Sequence, residues 1–144
     1  MGYRIFALFL ALISCAAQGQ IITQATTVRG VTVAATAGNL SPEASVWDFA
    51  VVLSSSRKNL SDDLVRSAVL VDPQGRKYKA LIWEGAPSSG RHRAGVLKFI
   101  AVKPRPEWIE LRIVRPGEAR PRTFSWLLGN GMVAMAAPGS SAQP

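Results

Sequence analysis

Short segments with strand patterning alternate with turn sequences over residues 31–128, and this repetition constrains the fold more than any other feature of the chain. In the clearest segment, 47–53, every second residue is large and apolar, which predicts a strand with one buried face. The sequence Asp72-Pro73-Gln74-Gly75 predicts a type I turn, because Asp accepts a local hydrogen bond, Pro fixes the backbone and Gly closes the turn. We therefore predict a hairpin over 67–83.

The same patterns predict seven strands, over residues 31–36, 47–53, 67–71, 77–83, 95–102, 108–114 and 123–128. Strands of this length with turns roughly every 8–12 residues are typical of a sandwich. The predicted fold class is therefore all-β, an immunoglobulin-like antiparallel β-sandwich of about seven strands. Its core is expected to contain the four tryptophans, with a carbohydrate-stacking platform as the alternative role. They are Trp47, Trp83, Trp108 and Trp126.

One short helix is expected between the second and third of these strands. Ser61 precedes Asp62 and Asp63, and a serine followed by acids suits a helix start. The serine side chain caps free N–H groups there, and the acids meet the positive end of the helix dipole.

The N-terminal segment predicts export. Arg4 precedes an apolar run over 5–13, and small residues follow. That order is typical of a secretory signal, and nine residues are far fewer than the roughly 20 that cross a bilayer. The predicted organisation is a signal peptide over 1–19, a flexible lead-in over 20–29, one domain over 30–128 and a disordered tail over 129–144.

Two processing schemes remain open. A general signal peptidase would cleave after Ala17 or after Gly19. Alternatively, Leu12-Ile13-Ser14-Cys15 resembles a bacterial lipobox, which would place cleavage after Ser14 and an acyl chain on Cys15. The protein is thus expected in the periplasm or outside the cell, or as an outer-membrane lipoprotein with a lipid anchor. Cys15 is the only cysteine, so the domain can form no internal disulfide.

The charge of the chain is strongly basic, with a formal net charge of +8. Residues 91–122 alone contain nine Lys and Arg against three Glu. A basic surface favours anionic partners, and a solvated face that aids solubility is the simpler alternative. We expect a protein or an anionic envelope component as partner, and no nucleic acid, because no aromatic-interleaved binding motif accompanies the charge.

Most of residues 30–128 resembles a family of small exported bacterial β-sandwich proteins without an assigned activity. The resemblance lies in Asn39-Leu40-Ser41-Pro42, Trp47-Asp48-Phe49, Leu60-Ser61-Asp62-Asp63-Leu64, Trp83-Glu84-Gly85-Ala86-Pro87, His92-Arg93 with Gly95-Val96-Leu97, and Ile109-Glu110-Leu111-Arg112-Ile113. Members of that family often carry histidines in two loops, which implies a metal site. This chain departs from the pattern, because Ser55 and Arg91 occupy positions where histidine would be expected and only His92 is present.

No catalytic motif accompanies the single histidine. A Ser–His–Asp triad using His92 with Asp62 or Asp63 is formally available, but no Gly-x-Ser-x-Gly elbow supports it. A zinc site needs three or four ligands, for which His92, Asp62, Asp63 and Glu84 would have to converge. Met132 and Met135 are soft candidates for copper(I) in the tail.

These observations favour a non-enzymatic cell-envelope binding module with a basic surface. The residues assigned to binding are Arg91, His92, Arg93, Asp62, Asp63 and Glu84. No cofactor is expected, and no catalytic residue is assigned. The alternative is a periplasmic accessory protein that handles metal, with copper or zinc as the metal and His92 as its ligand.

Overall fold

The computed structural model describes residues 23–129 and 133–135, and this part of the chain is almost entirely β-structure. Its strands are β1 (Thr23–Val28), β2 (Val31–Ala37), β3 (Val46–Ser55), β4 (Ala68–Val71), β5 (Lys77–Lys79), β6 (Ile82–Gly85), β7 (His92–Ile100), β8 (Trp108–Ile113), β9 (Arg122–Leu128) and β10 (Val133–Met135). One short helix, α1 (Leu64–Ser67), precedes β4.

The strands form two antiparallel sheets of five strands each. The first sheet has the order β1-β2-β3-β7-β6, and the second has the order β10-β9-β8-β4-β5. Inward side chains from both sheets form one apolar core cluster. The predicted all-β sandwich is therefore confirmed, with ten strands in the described residues where seven were predicted.

Strand β3 shows how the sequence builds this core. Its alternate residues from Trp47 to Leu53 are completely or almost completely buried, as the period-2 pattern predicts. Phe49 lies edge-on to Phe99 on β7, with 5.7 Å between ring centroids, and 5.1 Å from the ring of Trp126 on β9. These three aromatic rings join the two sheets at the centre of the sandwich.

The four tryptophans divide between core and surface. Trp47 and Trp126 are buried, and Trp83 is half-buried and packs against the core. Trp108 is only partly buried and alternates with the buried Ile109, so it lies on the outward side of β8. The assignment of Trp108 to the core was wrong, because the strand register turns it away from the facing sheet.

The predicted hairpin over 67–83 is confirmed only for its first half. The Gly75 N–H donates to the carbonyl of Asp72 at 2.9 Å, which closes the predicted turn between β4 and β5. The chain then leaves this sheet at residues 80–81, and β6 pairs with β7 in the other sheet. Residues 77–83 therefore form two short strands in different sheets.

The helix begins two residues later than predicted. Asp63 is the N-cap, and its carboxylate accepts from the backbone N–H of Arg66 at 3.3 Å. Ser61 lies outside the helix and is exposed. Helix α1 has only four residues, so it serves as a connection between the sheets.

The regions on either side of the predicted domain contain further strands. Residues 23–28, predicted as flexible lead-in, form β1, which pairs with β2 over its whole length. Residues 133–135, predicted as disordered tail, form β10 beside β9. The predicted signal peptide, Cys15, Met132 and the rest of the tail lie outside the described residues.

Candidate functional site: the loop end

Four connections meet at one end of the sandwich, which we call the loop end. They are the β1–β2 turn at 29–30, the segment 56–63 before α1, the β6–β7 loop at 86–91 and the β8–β9 loop at 114–121. Antiparallel pairing brings them together, because β2, β7 and β9 all start at this end. Asp62, Asp63 and Arg91 lie in these connections, and His92 and Arg93 follow directly at the start of β7. The loop end therefore includes or adjoins five of the six residues assigned to binding.

Hydrogen bonds between different loops hold this end together. The Leu60 N–H donates to the carbonyl of Gly90 at 2.7 Å. The guanidinium of Arg29 donates to the carbonyl of Gly117 at 3.2 Å. These bonds connect segments that are 30 to 88 residues apart in the chain.

A buried ion pair lies beneath these loops. Arg115 donates through Nε and Nη2 to both carboxylate oxygens of Asp62, at 2.9 and 3.1 Å. The side chains are only 10% and 1% exposed. This parallel, two-bond geometry is the strongest form of an Arg–carboxylate pair, and it joins the 56–63 segment to the 114–121 loop.

Glu118 extends the pair into a chain of four charged groups. It accepts from Nη1 of Arg115 at 2.9 Å and from Nε and Nη2 of Arg122 at 2.6 and 2.9 Å. Arg122 also donates to the carbonyls of Thr26 and Val31, at 2.8 and 3.1 Å. The guanidinium of Arg122 therefore connects β9 in one sheet to β1 and β2 in the other.

These contacts perturb the pKa values of the network. The hydrogen bond from Arg122 holds the pKa of Glu118 below its usual value, with Arg115 adding to that effect and burial opposing it. Burial acts to lower the pKa of Arg115, but the hydrogen bonds and charges of Asp62 and Glu118 outweigh it and raise that pKa. Both groups are thus held in their charged forms.

The depressed pKa of Glu118 predicts a loss of stability in acid. Its ordinary value is 4.5, and because the folded-state pKa is lower, the carboxylate stabilises the fold above that pH. The contribution decreases as the pH falls through the folded-state pKa. Glu118→Gln should therefore lower the free energy of unfolding at pH 7, and its difference from wild type should shrink as the pH falls below the ordinary value of 4.5. Urea unfolding across this pH range measures the difference; a constant difference would contradict the assignment.

Two of the residues assigned to binding have a structural role instead. Arg93 is 2% exposed, and its Nη1 donates to the carbonyl of Asp62 at 2.8 Å. Its guanidinium also lies over the ring of Trp83, with 5.8 Å to the centroid. Asp62 is 2% exposed and engaged by Arg115. Neither group reaches the surface, so the structure gives no support to the assignment of Arg93 and Asp62 to ligand binding.

The other four assigned residues are exposed but do not converge. Asp63 caps α1, and Glu84 on β6 pairs with Lys98 at 3.0 Å. His92 starts β7 opposite Ser54, on the outward side of the first sheet. Arg91 lies in the β6–β7 loop and donates to the carbonyl of Ser56 at 3.3 Å. Of the six residues, Arg91 is the exposed cation of the loop end.

A metal site does not form from these groups. Residues 23–129 and 133–135 contain no cluster of three or more His, Cys, Asp or Glu side chains that could hold an ion. The convergence of His92, Asp62, Asp63 and Glu84 on one metal is not observed, and the oxygens of Asp62 are already bound by Arg115. The metal-handling alternative finds no support in this part of the chain.

The exposed charge of the loop end is strongly positive. Five cations are exposed there, distributed over all four connections, and they are Arg29, Arg57, Lys58, Arg91 and Arg120. The only exposed carboxylate among the described residues of these connections is Asp63, which pairs with Arg66 at 3.6 Å. Asp62 and Glu118 are neutralised within the buried network. The opposite end carries a mixture, with Glu43 and Glu107 beside Lys103 and Arg105.

The basic run over 91–122 was a poor guide to this surface. Of its nine cations, Arg93, Arg115 and Arg122 are buried, and Lys98 and Arg112 are paired with neighbouring carboxylates. Three of the five loop-end cations precede the run in the sequence. Turn sequences such as Arg29-Gly30 and Arg57-Lys58-Asn59 are the signal that could have located them, once the topology is known.

No protein-family model matches this chain, and neither a curated protein nor a solved structure matches it.

The described residues contain no helix that is long and apolar enough to cross a membrane.

Proposed function

We propose that this chain is a non-enzymatic binding module of the cell envelope whose loop end binds an anionic partner. The observation that carries the proposal is the set of five exposed cations on four connections at one end of the sandwich, with a single, paired carboxylate among them. Cations that are concentrated in this way attract polyanions and raise their rate of association. The export signal predicted from the N-terminal sequence supports the envelope location.

The buried network supports a binding role because it fixes the positions of the loops. The ion pairs among Asp62, Arg115, Glu118 and Arg122 connect the 56–63 segment to the 114–121 loop, and Arg122 also bonds to the strands on either side of the β1–β2 turn. A surface whose loops are already ordered loses little conformational entropy on binding. The cations of this end are therefore displayed in a set arrangement before a ligand arrives.

The order of the strands supports the same role. Without β1 and β10, the sheets read β2-β3-β7-β6 and β9-β8-β4-β5. These orders correspond to A-B-E-D and G-F-C-C′ of immunoglobulin-like domains. In that correspondence the segments 56–63 and 114–121 are the B–C and F–G loops, which form part of the binding surface in variable domains.

The non-enzymatic part of the proposal rests on the contacts that Asp62 and Asp63 already make. A triad would require a carboxylate that orients His92, but both oxygens of Asp62 accept from Arg115 and Asp63 caps α1. A general base also needs a partner within hydrogen-bond reach of the proton that it takes. The two acids considered for the triad with His92, Asp62 and Asp63, are both engaged in structural contacts.

The binding proposal is tested with dextran sulfate as a probe polyanion. The triple variant Arg57→Gln, Lys58→Gln, Arg120→Gln removes three loop-end cations without touching the buried network. We expect at least tenfold weaker binding at about 0.1 M salt, and a slope of log K against log salt that is smaller by about two to three, because each neutralised contact contributes about 0.7–0.9. Isothermal titration at several salt concentrations measures both quantities.

The matched control removes three exposed cations elsewhere. Lys77→Gln, Lys79→Gln, Lys103→Gln produces the same net charge, but these lysines lie on β5 and at the opposite end. This variant is expected to bind nearly as tightly as wild type. Equal weakening in both triple variants would show that net charge alone attracts the polymer, and the loop end would lose its assignment.

A further inference from the structure

The outward side of the first sheet carries very little charge for so basic a protein. Its side chains come from alternate residues of β1, β2, β3, β7 and β6, whose register is continuous across all five strands. Only three of these outward residues are Asp, Glu, Lys or Arg, and two of them, Lys98 and Glu84, pair with each other. We call this surface the outer face.

The middle of the outer face is flat because its side chains are small. Aligned across the strands are Ala25, Ala34, Ala50, Val52, Ala94 and Val96. The flanking threonines form hydroxyl pairs across β1 and β2, Thr23 with Thr36 at 2.7 Å and Thr27 with Thr32 at 2.8 Å. Each hydroxyl has a partner within the sheet, so covering the face leaves these groups satisfied.

The size of the outward side chains changes along the strands. At the end away from the loops lie three large apolar residues that are well exposed, namely Val46 at 36%, Ile82 at 47% and Ile100 at 58%. Near the loop end the face carries Ala94, Ser54, Thr27, Thr32 and the exposed ring of His92. Asp48 and Lys98 form one charged row between Val46 with Ile100 and the flat middle, and apart from Glu84 and His92 the rest of the face is apolar or hydroxylic. Exposed apolar surface of this extent marks an interaction surface, and the change in side-chain size along the strands restricts what can cover it.

We propose that the outer face is the contact between two copies of this chain, related by a two-fold axis that runs across the strands. Such an axis places each strand over the same strand of the other copy with its direction reversed, so that Val46 of one copy covers Ser54 of the other and Ile100 meets His92. An axis along the strands would place Val46 and Ile100 of the two copies against each other. The face is thus more complementary to itself with the axis across the strands, and this contact is isologous.

Charge selects the same axis. The five exposed cations of the loop end lie at one end of each copy. An axis across the strands sends the two loop ends to opposite ends of the dimer, whereas an axis along the strands would place them side by side and cause like-charge repulsion. The loop-end cations therefore favour the axis across the strands, and Glu84, which meets Glu84 of the other copy in the third row, keeps its pair with Lys98.

The area of the outer face is sufficient for a dimer. Five strands at about 4.8 Å spacing, averaging about seven residues at about 3.4 Å, cover about 600 Å². Two copies would bury about 1,200 Å², the lower limit for specific interfaces, and we expect a weak dimer with a Kd on the order of micromolar. This proposal does not depend on the anionic partner, because no loop-end cation takes part in the contact.

The first test is the mass in solution. The purified chain of 15.4 kDa should approach twice that mass in light scattering as the concentration rises from about 1 to about 200 μM. Ala50 lies in the third of five cross-strand rows, where each copy meets the same row of the other. Ala50→Lys should raise the Kd at least tenfold, because the two added charges face each other and lack partners.

The control is Thr123→Lys, an exposed position on the outward side of β9 in the other sheet, which should dimerise like wild type. Near-ultraviolet circular dichroism of the tryptophans verifies that both variants fold. A chain that stays monomeric up to about 200 μM overturns the proposal. So does a wild-type dimer that Ala50→Lys weakens no more than Thr123→Lys does.

The axis has its own test. A nitroxide on Ser89→Cys, in a Cys15→Ser background, labels the exposed β6–β7 loop of each copy. With strands about 30 Å long, the proposed axis separates the two labels by more than about 35 Å. A main distance of about 25 Å or less in a dimer would instead show an axis along the strands and contradict the proposed arrangement.

Discussion

Arg115→Met is expected to lower the free energy of unfolding by about 3–5 kcal/mol, because it leaves the carboxylate of Asp62 buried without its cation. The side chain of Asp62 is 1% exposed, and both of its oxygens accept from Arg115. Methionine keeps much of the volume of the arginine, so the loss comes from the uncompensated charge. Chemical denaturation at pH 7, monitored by tryptophan fluorescence, measures this change.

Two comparison variants separate burial from pairing. Arg112→Met breaks a partly exposed pair with Glu110 and should cost less than about 1 kcal/mol. The double variant Asp62→Leu, Arg115→Met removes both buried charges and should recover most of the stability that Arg115→Met loses. If Arg115→Met proves as mild as Arg112→Met, the buried network does not hold the loops.

Phe49→Ala is expected to cost about 3–5 kcal/mol through the loss of core packing. Phe49 is fully buried and joins the sheets through its contacts with Phe99 and Trp126. Because a close-packed interior relaxes only partly, the substitution leaves a cavity between the sheets. Thermal and urea unfolding measure the loss.

An outward position on the same strand is the natural control. Val52→Ala on the same strand removes apolar atoms from the outer face and should cost less than about 1 kcal/mol. The contrast between Phe49 and Val52 tests the register of β3. Similar losses at both positions would mean that the alternation of β3 does not define an inner and an outer side.

Local patterns predicted much of the fold. Alternation in 47–53 placed one face of β3 in the core, and Asp72-Pro73-Gln74-Gly75 located the turn after β4. Each of these patterns spans only a few residues, so it can be interpreted without knowledge of the rest of the chain. The two-sheet sandwich followed from repeating such signals.

Elements that depend on distant partners were missed. Strand β1 has no apolar alternation, because its inward side chains are polar and bond to the other sheet, as Gln24 does with the backbone of Ser125. The switch between β5 and β6 depends on pairing with β4 and β7, which no local pattern specifies. Sequence periodicity predicts neither the side-chain bonds between the sheets nor the pairing of distant strands.

The candidate site could be predicted only in part. The sequence indicated a basic surface and pointed to Arg91, but it assigned Arg93 and Asp62 to the ligand. Asp62 lies 53 residues from the arginine that neutralises it, so its charge looked free. Exposed and buried arginines look alike in a sequence, and topology alone separates them.

The side-chain hydrogen bonds between β1 and β9 also predict which edge of the sandwich unfolds locally. Gln24 and Arg122 join the two sheets along one edge by directional bonds, whereas the other edge consists of β5 and β6, with three and four residues. Strands that contribute few buried side chains unfold locally at low cost, and the side chains of β5 and β6 are mostly exposed. Backbone amides of β5 and β6 should therefore exchange with solvent before those of β1 and β9. Local unfolding is then expected to separate the two sheets at the β5–β6 edge, while the β1–β9 edge stays closed.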